Sequence, residues 1–356
     1  MLLNFFYLSH LQSKKDFFLV AALVFISVHY LYYVAHFWHF GSVANPTVHA
    51  EYSKIRASDV CSTENITKNL ALFAKYKTNC PSEPWYWDWQ ATLNVNEFVG
   101  LEIGCNKGTD ALMNLRAFTA STLVDIDSFE KHTKLKEYVC NFDRERWKSL
   151  LYLTKPRAKK YRHYCIEAAV ENAGAVREAT SILKLDKLGL SVHHVAVSSS
   201  SKPSTIKFPF IKPGTENVGI GTSHDKFKHF YDVQVTTVDE FVSEKKINQV
   251  DVLKIDTEGN DALVLTGAVK TLVLMKPSYL MFENHKVGHW ATVKLKDVID
   301  FLDAVDYDCF WATNSDKLIR ITGCWASAYD IKKKWSNIAC HHRYRDDLRL
   351  IMNKYI

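Results

Sequence analysis

Two acidic residues follow a short apolar run at residues 250–255 and stand just before a helical pattern. Asp256 and Glu258 are two positions apart, and Gly259 comes directly after them. Side chains with this spacing on extended backbone point to one side of the chain, so the two carboxylates can act together. Acids at the carboxyl end of a strand lie where open α/β sheets bind their ligands. The alternative is that Asp256, or Asp261 further on, only caps the following helix.

A second ligand-facing turn is predicted between a strand at residues 98–103 and a helix at residues 111–118. Glu102 lies at the end of this strand, and Gly104 and Gly108 belong to the turn. Glycine lets the backbone approach a ligand closely, and the next helix offers its free N–H groups. The spacing is not the GxGxxG pattern of dinucleotide-binding folds, and the chain has no P-loop motif.

Asp127 extends this prediction to a second strand end. Residues 121–126 are predicted to form a strand that ends at Asp127, about twenty residues after the glycine turn. An acid at this position of an open α/β sheet can bind both hydroxyls of a ribose.

Strand and helix patterns alternate along the chain after residue 97, which is typical of a doubly wound, mostly parallel α/β sheet. The region 128–185 is predicted to be mostly helical. Residues 205–208 and 233–235 are predicted to form a β-rich insertion. The further strands are predicted at residues 192–197, 250–255, 279–282, 307–311 and 318–321.

Taken together, these stretches resemble the FkbM family of S-adenosylmethionine-dependent methyltransferases, from about residue 97 to residue 285. The stretches that carry the resemblance are residues 102–108, 194–198, 235–241, 250–261, 266–268 and 282–285. The chain departs from the family pattern at Glu102 and Cys105, where the family usually has Asp and Ala. It also has Asp127 and Ser128 where the family often has Glu-Pro.

The resemblance implies a class I methyltransferase fold, which is Rossmann-like, and methyl transfer from S-adenosylmethionine to an oxygen atom. The acceptor would be a hydroxyl of a sugar or a related small molecule. The residues expected to bind the cofactor are Glu102, Gly104, Asn106, Gly108 and Asp127.

The acceptor side of such a site must align the hydroxyl and help remove its proton. Asp256 and Glu258 are expected to converge there with Glu283 and His285 from the next strand end. Asp256 or His285 is the predicted base. Alternatively, Asp256 and a neighbour hold a divalent metal through oxygen ligands, or His285 is an ordinary loop histidine.

Residues 17–37 are predicted to be a transmembrane anchor. No Asp, Glu, Lys or Arg occurs from residue 17 to residue 50, and about 21 residues of helix span roughly 30 Å, the thickness of a bilayer core. Lys14 and Lys15 flank the anchor, so residues 1–16 are expected in the cytosol and the rest in a lumen, of the Golgi or the endoplasmic reticulum. A cleaved signal peptide is the alternative.

Charge and cysteine content bound the function further. The net charge of +6 is mild for 356 residues and the basic residues are mostly dispersed, so no nucleic-acid partner is expected. Eight cysteines permit disulfides in an oxidising lumen. Cys61 with Cys80, and Cys324 with Cys340, are the predicted pairs, and Cys105 is predicted to be a free thiol. Asn65 begins an N-glycosylation sequon.

These patterns divide the chain into five parts. They are a cytosolic tail (1–16), the anchor (17–37), a stem and lead-in (38–96), the methyltransferase domain (97–325) and a C-terminal extension (326–356).

The sequence thus favours a membrane-anchored, lumen-facing O-methyltransferase that acts on a glycan. One alternative is methylation of a lipid or small metabolite. Another is a catalytically silent, membrane-tethered binding module. A nicotinamide-dependent dehydrogenase fits less well, because the acidic turn at residues 256–259 has no role in hydride transfer.

Overall fold

The computed structural model describes residues 61–134, 140, 143–220, 224–285, 287–331 and 334–356. The predicted cytosolic tail, the anchor and most of the stem lie outside these residues. Among the residues described, no helix is both long and apolar enough to cross a membrane.

Eleven strands form two sheets in the described residues. The strands are β1 (Val95–Ile103), β2 (Ala158–Glu167), β3 (Leu190–His194), β4 (Ala196–Val197), β5 (Thr205–Pro209), β6 (Phe230–Thr236), β7 (Val252–Ile255), β8 (Tyr279–Asn284), β9 (Tyr307–Ala312), β10 (Leu318–Arg320) and β11 (Ser336–His342). The main sheet has eight strands in the order β10-β9-β11-β8-β7-β1-β2-β3, and a small sheet has the order β4-β6-β5.

The main sheet is parallel from β3 to β8, which confirms the predicted mixed α/β fold with a mostly parallel sheet. β1 pairs in parallel with β2 on one side and with β7 on the other. The chain first builds outward from β1 through β2 to β3, and then returns to add β7 and β8 on the opposite side. The strand order therefore reverses between β1 and β7, and ligands of open α/β sheets bind at such a point.

Helices connect and cover these strands. The α-helices are α1 (Thr63–Lys75), α2 (Pro84–Thr92), α3 (Thr109–Thr119), α4 (Ile126–Thr133), α5 (Arg144–Leu151), α6 (Val170–Ile182), α7 (Val238–Glu244), α8 (Asp261–Thr266), α9 (Leu295–Ala304), α10 (Ala328–Ile331) and α11 (Asp346–Met352). α3 packs against β2, α6 against β3, and α9 against β9. A π-helical turn at Thr271–Met275 follows α8.

The core lies around β1, whose last six residues are all buried. A strand buried on both faces needs a continuous apolar run, and Phe98 to Ile103 is interrupted only by Gly100 and Glu102. The Phe98 and Phe118 rings stack with centroids 3.8 Å apart. Complete burial of a phenylalanine side chain stabilises the fold by about 1.5–3 kcal/mol.

The predicted strand at residues 121–126 is wrong. Residues 121–125 form a turn, and the Asp125 carboxylate caps helix α4 by accepting a hydrogen bond of 2.8 Å from the Ser128 N–H. A favourable N-cap of this kind stabilises the start of a helix. The segment therefore forms a turn and a helix instead of the strand that its short apolar run predicts.

The prediction of a mostly helical region at 128–185 is wrong in part, because the region contains β2. Burial alternates through Tyr161, His163 and Cys165, with the less buried Arg162 and Tyr164 between them. This is the period of two that a strand requires. The strand pattern was not recognised in the sequence because the surrounding residues are highly charged.

The boundary predicted at residue 325 does not correspond to a division in the structure. β11, from the predicted C-terminal extension, lies inside the main sheet and pairs antiparallel with both β8 and β9. The lead-in is also part of the domain, because α1 packs against β10.

All eight cysteines form disulfides, and the predicted pairs are wrong. The bonds join Cys61 to Cys324, Cys80 to Cys140, Cys105 to Cys165 and Cys309 to Cys340. The prediction that Cys105 is free is wrong because β1 and β2 are neighbours, which brings the Cα atoms of Cys105 and Cys165 to 5.4 Å. The prediction paired cysteines that lie in loop-like sequence, whereas Cys309 and Cys340 are partners on the neighbouring strands β9 and β11.

Candidate active site

A cavity of about 760 Å³ opens at the carboxyl ends of β1, β2, β7 and β8, where the strand order reverses. Ligand pockets commonly have this size. The predicted site residues that line it are Glu102, Gly104, Asn106, Asp256, Glu258 and Glu283. The predicted site residues outside its lining are Gly108, Asp127 and His285.

The glycine turn packs directly on the acidic turn. Gly104 has φ +84°, and a Cβ atom at this position would collide with the backbone carbonyl oxygen of Asp256. The Asp256 N–H donates a hydrogen bond of 2.8 Å to the Ile103 carbonyl. Gly104 is therefore required by close backbone contact between the ends of β1 and β7. Gly108, with φ +70°, precedes α3 and faces the Val176 side chain.

Glu102 and His163 form a buried pair beneath the glycine turn. The His163 Nε2 and a Glu102 carboxylate oxygen are 2.9 Å apart, and the Tyr161 hydroxyl lies 3.1 Å from His163 Nδ1. Gly100 leaves room for this imidazole, because a Cβ there would lie 2.7 Å from His163 Nδ1. Glu102 thus touches the cavity while His163 fixes its orientation.

Glu167 occupies the position at the end of the second strand that was predicted for Asp127. Its carboxylate accepts hydrogen bonds from the N–H groups of Asn106 (2.8 Å) and Ala169 (2.7 Å) and lines the cavity. Burial raises the pKa of Glu167. The sequence signal for it is the alternating strand pattern of β2 that ends in an acid.

Asp127 lies away from the cavity. It belongs to the first turn of α4, its side chain is 82% exposed, and its nearest charged partner is Arg144 at 3.9 Å. The prediction that Asp127 follows the second strand is wrong, because that strand is β2 and ends at Glu167.

Four carboxyl groups gather on the other side of the cavity. The pKa of Asp256 is raised to about 7, mainly by burial and secondly by the negative charge of Asp261. The pKa of Glu258 is raised to about 8, mainly by burial and secondly by the negative charge of Asp256. Burial and the charge of Asp256 also raise the pKa of Glu283 well above its ordinary value. The Asp256 side chain is exposed to the cavity although protein surrounds it. A carboxylate with a pKa near neutrality is suited to proton transfer.

Asp261 holds the acidic turn to β8. Its carboxylate is fully buried and accepts hydrogen bonds from the N–H groups of Gly259 (3.3 Å) and Glu283 (3.2 Å). Burial raises the pKa of Asp261 to about 7. The alternative prediction that this residue only caps the helix is incomplete, because the carboxylate connects two strand ends.

Glu283 and His285 lie at the end of β8. The Trp335 indole N–H donates a hydrogen bond of 3.0 Å to Glu283 Oε1, and His285 Nε2 lies 3.8 Å from Glu283 Oε2. Burial lowers the pKa of His285. The structure therefore brings together the four predicted acceptor-side residues, with His285 behind the cavity wall.

The FkbM methyltransferase domain model matches residues 117–309, a little over half of the chain. This chain belongs to the FkbM methyltransferase family. The matched residues include the acidic turn, Glu283 and His285, whereas the glycine turn at residues 102–108 precedes them. No curated protein and no solved structure gives a match to the chain. Family membership indicates a methyltransferase, in agreement with the fold.

In this FkbM methyltransferase, the loop at residues 211–220 bridges the two sides of the cavity. Glu216 forms an ion pair with Lys107 of the glycine turn. The Asn217 N–H donates a hydrogen bond of 3.0 Å to Glu258 Oε1. We call residues 211–220 the bridging loop. Sequence reasoning missed it, and the Pro213-Gly214 pair signals only a turn.

A largely buried lysine contributes positive charge to the cavity. Lys254 of β7 forms ion pairs with Glu83, at 3.0 Å, and with Asp110. The opposite charges of these carboxylates outweigh the effect of burial and raise the pKa of Lys254 well above its ordinary value. Lys254 therefore stays charged, and it lines the cavity together with Glu83 and Asp110.

Proposed function

We propose that this methyltransferase transfers a methyl group from S-adenosylmethionine to a hydroxyl of a sugar or glycan. The observation that carries the proposal is the contact between Gly104 and the Asp256 backbone. This contact brings two groups together in one cavity. One is a glycine turn that a cofactor can approach closely, and the other is a carboxylate that can accept a proton. Methyl transfer to a hydroxyl requires both in this proximity.

The residues at the β1 and β2 ends fit such a cofactor. Close backbone packing at Gly104 leaves no room for a side chain, and the Glu167 carboxylate stands at the strand end where open α/β sheets bind ribose hydroxyls. Glu167 would hold the ribose, and Gly104 and Asn106 would line the space beside it. When bound, S-adenosylmethionine would supply a methyl group that its positively charged sulfur activates for transfer to the acceptor oxygen.

On the acceptor side, Asp256 receives the proton that the hydroxyl loses. Its carboxylate opens to the cavity, and its pKa of about 7 lets it accept a proton near neutral pH. Glu258 and Glu283 lie beside it and orient the hydroxyl. His285 lies behind Glu283, so in this proposal Asp256 is the base.

Aromatic side chains in the cavity support a sugar as the acceptor. Trp87 and Trp335 line it, and an indole offers an apolar face together with a polar N–H group. An apolar face of this kind packs against the C–H groups of a sugar ring, while the carboxylates take its hydroxyls. This combination favours a glycan over a purely apolar acceptor.

We further propose that the domain faces the lumen of the Golgi or the endoplasmic reticulum, anchored by residues 17–37. Four disulfides among eight cysteines support an oxidising compartment, and Lys14 and Lys15 support a cytosolic N-terminus. A lumenal enzyme of the secretory pathway meets glycans, which agrees with the acceptor class.

The full chain, purified in mild detergent, tests the cofactor and the acceptor in turn. Calorimetry should show binding of S-adenosylhomocysteine, and Glu167→Gln should weaken it roughly 10- to 100-fold through loss of charged hydrogen bonds. Glu178→Gln, on the exposed face of α6, is the matched control. Absence of binding by the unaltered chain would show that the enzyme hypothesis is wrong.

Methyl transfer itself is measured with labelled S-adenosylmethionine and panels of free glycans and lipids. Labelled sugar hydroxyls support the proposal, and label confined to lipids shows that the acceptor class is wrong. Mass spectrometry of glycans from cells with and without the protein should reveal species that differ by one CH₂ unit.

A further inference from the structure

We propose that Glu258, Glu283 and His285 bind a divalent transition-metal cation at the wall of the cavity. Each residue offers one ligand atom, and these three atoms lie within 4.8 Å of one another. Carboxylate oxygens and imidazole nitrogens bind such ions at about 2.0–2.2 Å, so ligands of one ion lie within roughly 4.4 Å of each other. Small side-chain rotations therefore suffice to close the site.

His285 gives an independent indication of a ligand. The residue is only 8% exposed, and its Nε2 atom is buried without a hydrogen-bond partner among the described residues. The nearest carboxylate oxygen, on Glu283, is 3.8 Å away, beyond hydrogen-bond distance. A buried, unpartnered ring nitrogen costs free energy. A metal bond at this atom satisfies it.

Both carboxylates are already oriented by other groups. Glu283 Oε1 accepts a hydrogen bond of 3.0 Å from the Trp335 indole, and Glu258 Oε1 accepts one of 3.0 Å from the Asn217 N–H. Contacts of this type fix metal-binding carboxylates in position.

The charge balance of the cavity wall also favours a cation. Asp256 and Asp261 lie with Glu258 and Glu283 in the same cluster of carboxyl groups. Lys254 contributes positive charge to Asp256, but its ammonium group already forms ion pairs with Glu83 and Asp110. A divalent ion between Glu258 and Glu283 reduces the mutual repulsion of the carboxylates.

The donor set indicates the kind of ion. Imidazole suits zinc and iron, carboxylates suit manganese, and copper(I) prefers the sulfur ligands that this group lacks. An imidazole ligand distinguishes this set of donors from the all-oxygen sites of magnesium and calcium. Glu258 and Glu283 line the cavity, so the remaining coordination positions face the acceptor space. There the ion would polarise the acceptor hydroxyl and ease transfer of its proton to Asp256. This last role rests on the proposed methyl transfer, whereas binding of the ion does not.

Direct binding is the first test. The full chain, stripped with a chelator and dialysed, is titrated with Mn²⁺, Zn²⁺ and Mg²⁺ by calorimetry. We expect one saturable site per chain that binds Mn²⁺ or Zn²⁺ at least tenfold more tightly than Mg²⁺. Spin-echo spectroscopy of the Mn²⁺ form should show coupling to one imidazole nitrogen, which His285→Asn removes. Lack of saturable binding, or a nitrogen signal that persists in His285→Asn, overturns the proposal.

Matched variants separate the site from general charge effects. Glu258→Gln and His285→Asn should each weaken Mn²⁺ or Zn²⁺ at least tenfold, while Glu178→Gln and His132→Asn, which lie on α6 and α4, should not. S-adenosylhomocysteine binding by the chelated variants confirms that they are folded. Equal affinities of all four variants overturn the metal site.

The two proposals fail separately. If the stripped chain binds S-adenosylhomocysteine but no metal, the metal site is wrong and the methyltransferase proposal stands. If it binds metal through His285 but no cofactor, the metal site stands and the proposed function is wrong.

Discussion

At the scale of single residues, the carboxylates near the cavity divide into those open to it and those that hold the structure. Asp256 faces the cavity, whereas Asp261 is buried and connects the acidic turn to β8 through backbone N–H groups. Asp251 is structural as well, because it accepts a hydrogen bond of 2.8 Å from the Val99 N–H. Aspartates that are close neighbours in the sequence therefore differ in role according to their partners.

Replacing Asp256 by asparagine tests its role as the base. The asparagine side chain has nearly the same shape but cannot accept the hydroxyl proton, so we expect kcat to fall by about 10²- to 10⁴-fold. Affinity for S-adenosylhomocysteine should stay within a factor of about three, because the proposed cofactor contacts lie at the β1 and β2 ends. Asp232→Asn, at an exposed ion pair with Lys207, is the control. A kcat equal to that of the control would contradict the assignment.

The buried residue His342 should make the free energy of unfolding of the protein depend on pH. Its side chain is 2% exposed. Its pKa is lowered to about 4, mainly by burial and secondly by the positive charge of Lys276. The unfolded chain protonates first, near pH 6.5, so the contribution of neutral His342 is present above about 6.5 and is lost as the pH falls toward 4. The charged and titratable neighbours are Lys276, Asp306, His341 and Arg343.

The measurement compares urea unfolding of the unaltered chain and His342→Gln between about pH 7 and pH 5. The unaltered chain should lose on the order of 2 kcal/mol more stability than the variant over this range. The buried carboxyls titrate equally in both proteins and cancel. Parallel pH profiles would show that His342 does not cause the dependence.

At the scale of elements, the bridging loop connects the proposed cofactor side and the proposed acceptor side of the cavity. Gly214 donates a hydrogen bond of 2.7 Å to Asn172 of α6, Glu216 pairs with Lys107, and Asn217 donates to Glu258. Movement of this loop would change both halves of the site together. Loops with this position often limit access to the site and its turnover.

Gly219→Ala tests the loop. A Cβ atom at Gly219 would collide with the Thr257 carbonyl oxygen, so the loop must move away from the acidic turn. We expect a loss of about 1–3 kcal/mol in stability and at least a tenfold loss of kcat/KM for the acceptor. Gly174→Ala is the control, because nothing lies within 4 Å of that position in α6. An unchanged kcat/KM would indicate that the loop does not shape the site.

The sequence predicts the elements whose signals are local and misses those that depend on pairing. The strand predicted at residues 250–255 is present as β7 (Val252–Ile255), and the glycine turn and the acidic turn both follow strands and line the cavity. An apolar run followed by a turn is visible in a single stretch of sequence. Glu167 was missed because β2 lies among charged residues and is recognised as a strand only once it pairs with β1. The contact of Gly104 with Asp256 joins residues 152 positions apart, and no local pattern contains it.

At the scale of the whole molecule, folding of the domain depends on residues before β1 and on the C-terminal strand β11. β11 occupies the interior of the main sheet between β8 and β9, and the Thr78 backbone bridges to Ser336. Removing this strand would expose the edges of two buried strands. The cavity would also lose Trp335, the partner of Glu283.

Truncation after residue 325 should therefore abolish cooperative folding. Without β11, we expect aggregation and loss of the thermal transition, since an internal strand cannot be replaced by solvent. Truncation after Met352 removes residues 353–356, with the contacts of Tyr355 to Trp85 and Asp88, and should leave the transition within about 5 °C. A soluble, cooperatively unfolding product of the first truncation would contradict this role of β11.

The bond between Cys61 and Cys324 sets a problem of timing during biosynthesis. The partners are 263 residues apart, so the first thiol waits roughly 15–50 s for the second at ordinary rates of translation. Cys80 emerges much sooner and is the nearest wrong partner. In an oxidising compartment, transient mispairing would require reshuffling by thiol–disulfide exchange. Maturation of this protein is therefore expected to depend on a disulfide isomerase, and its yield on the supply of that catalyst.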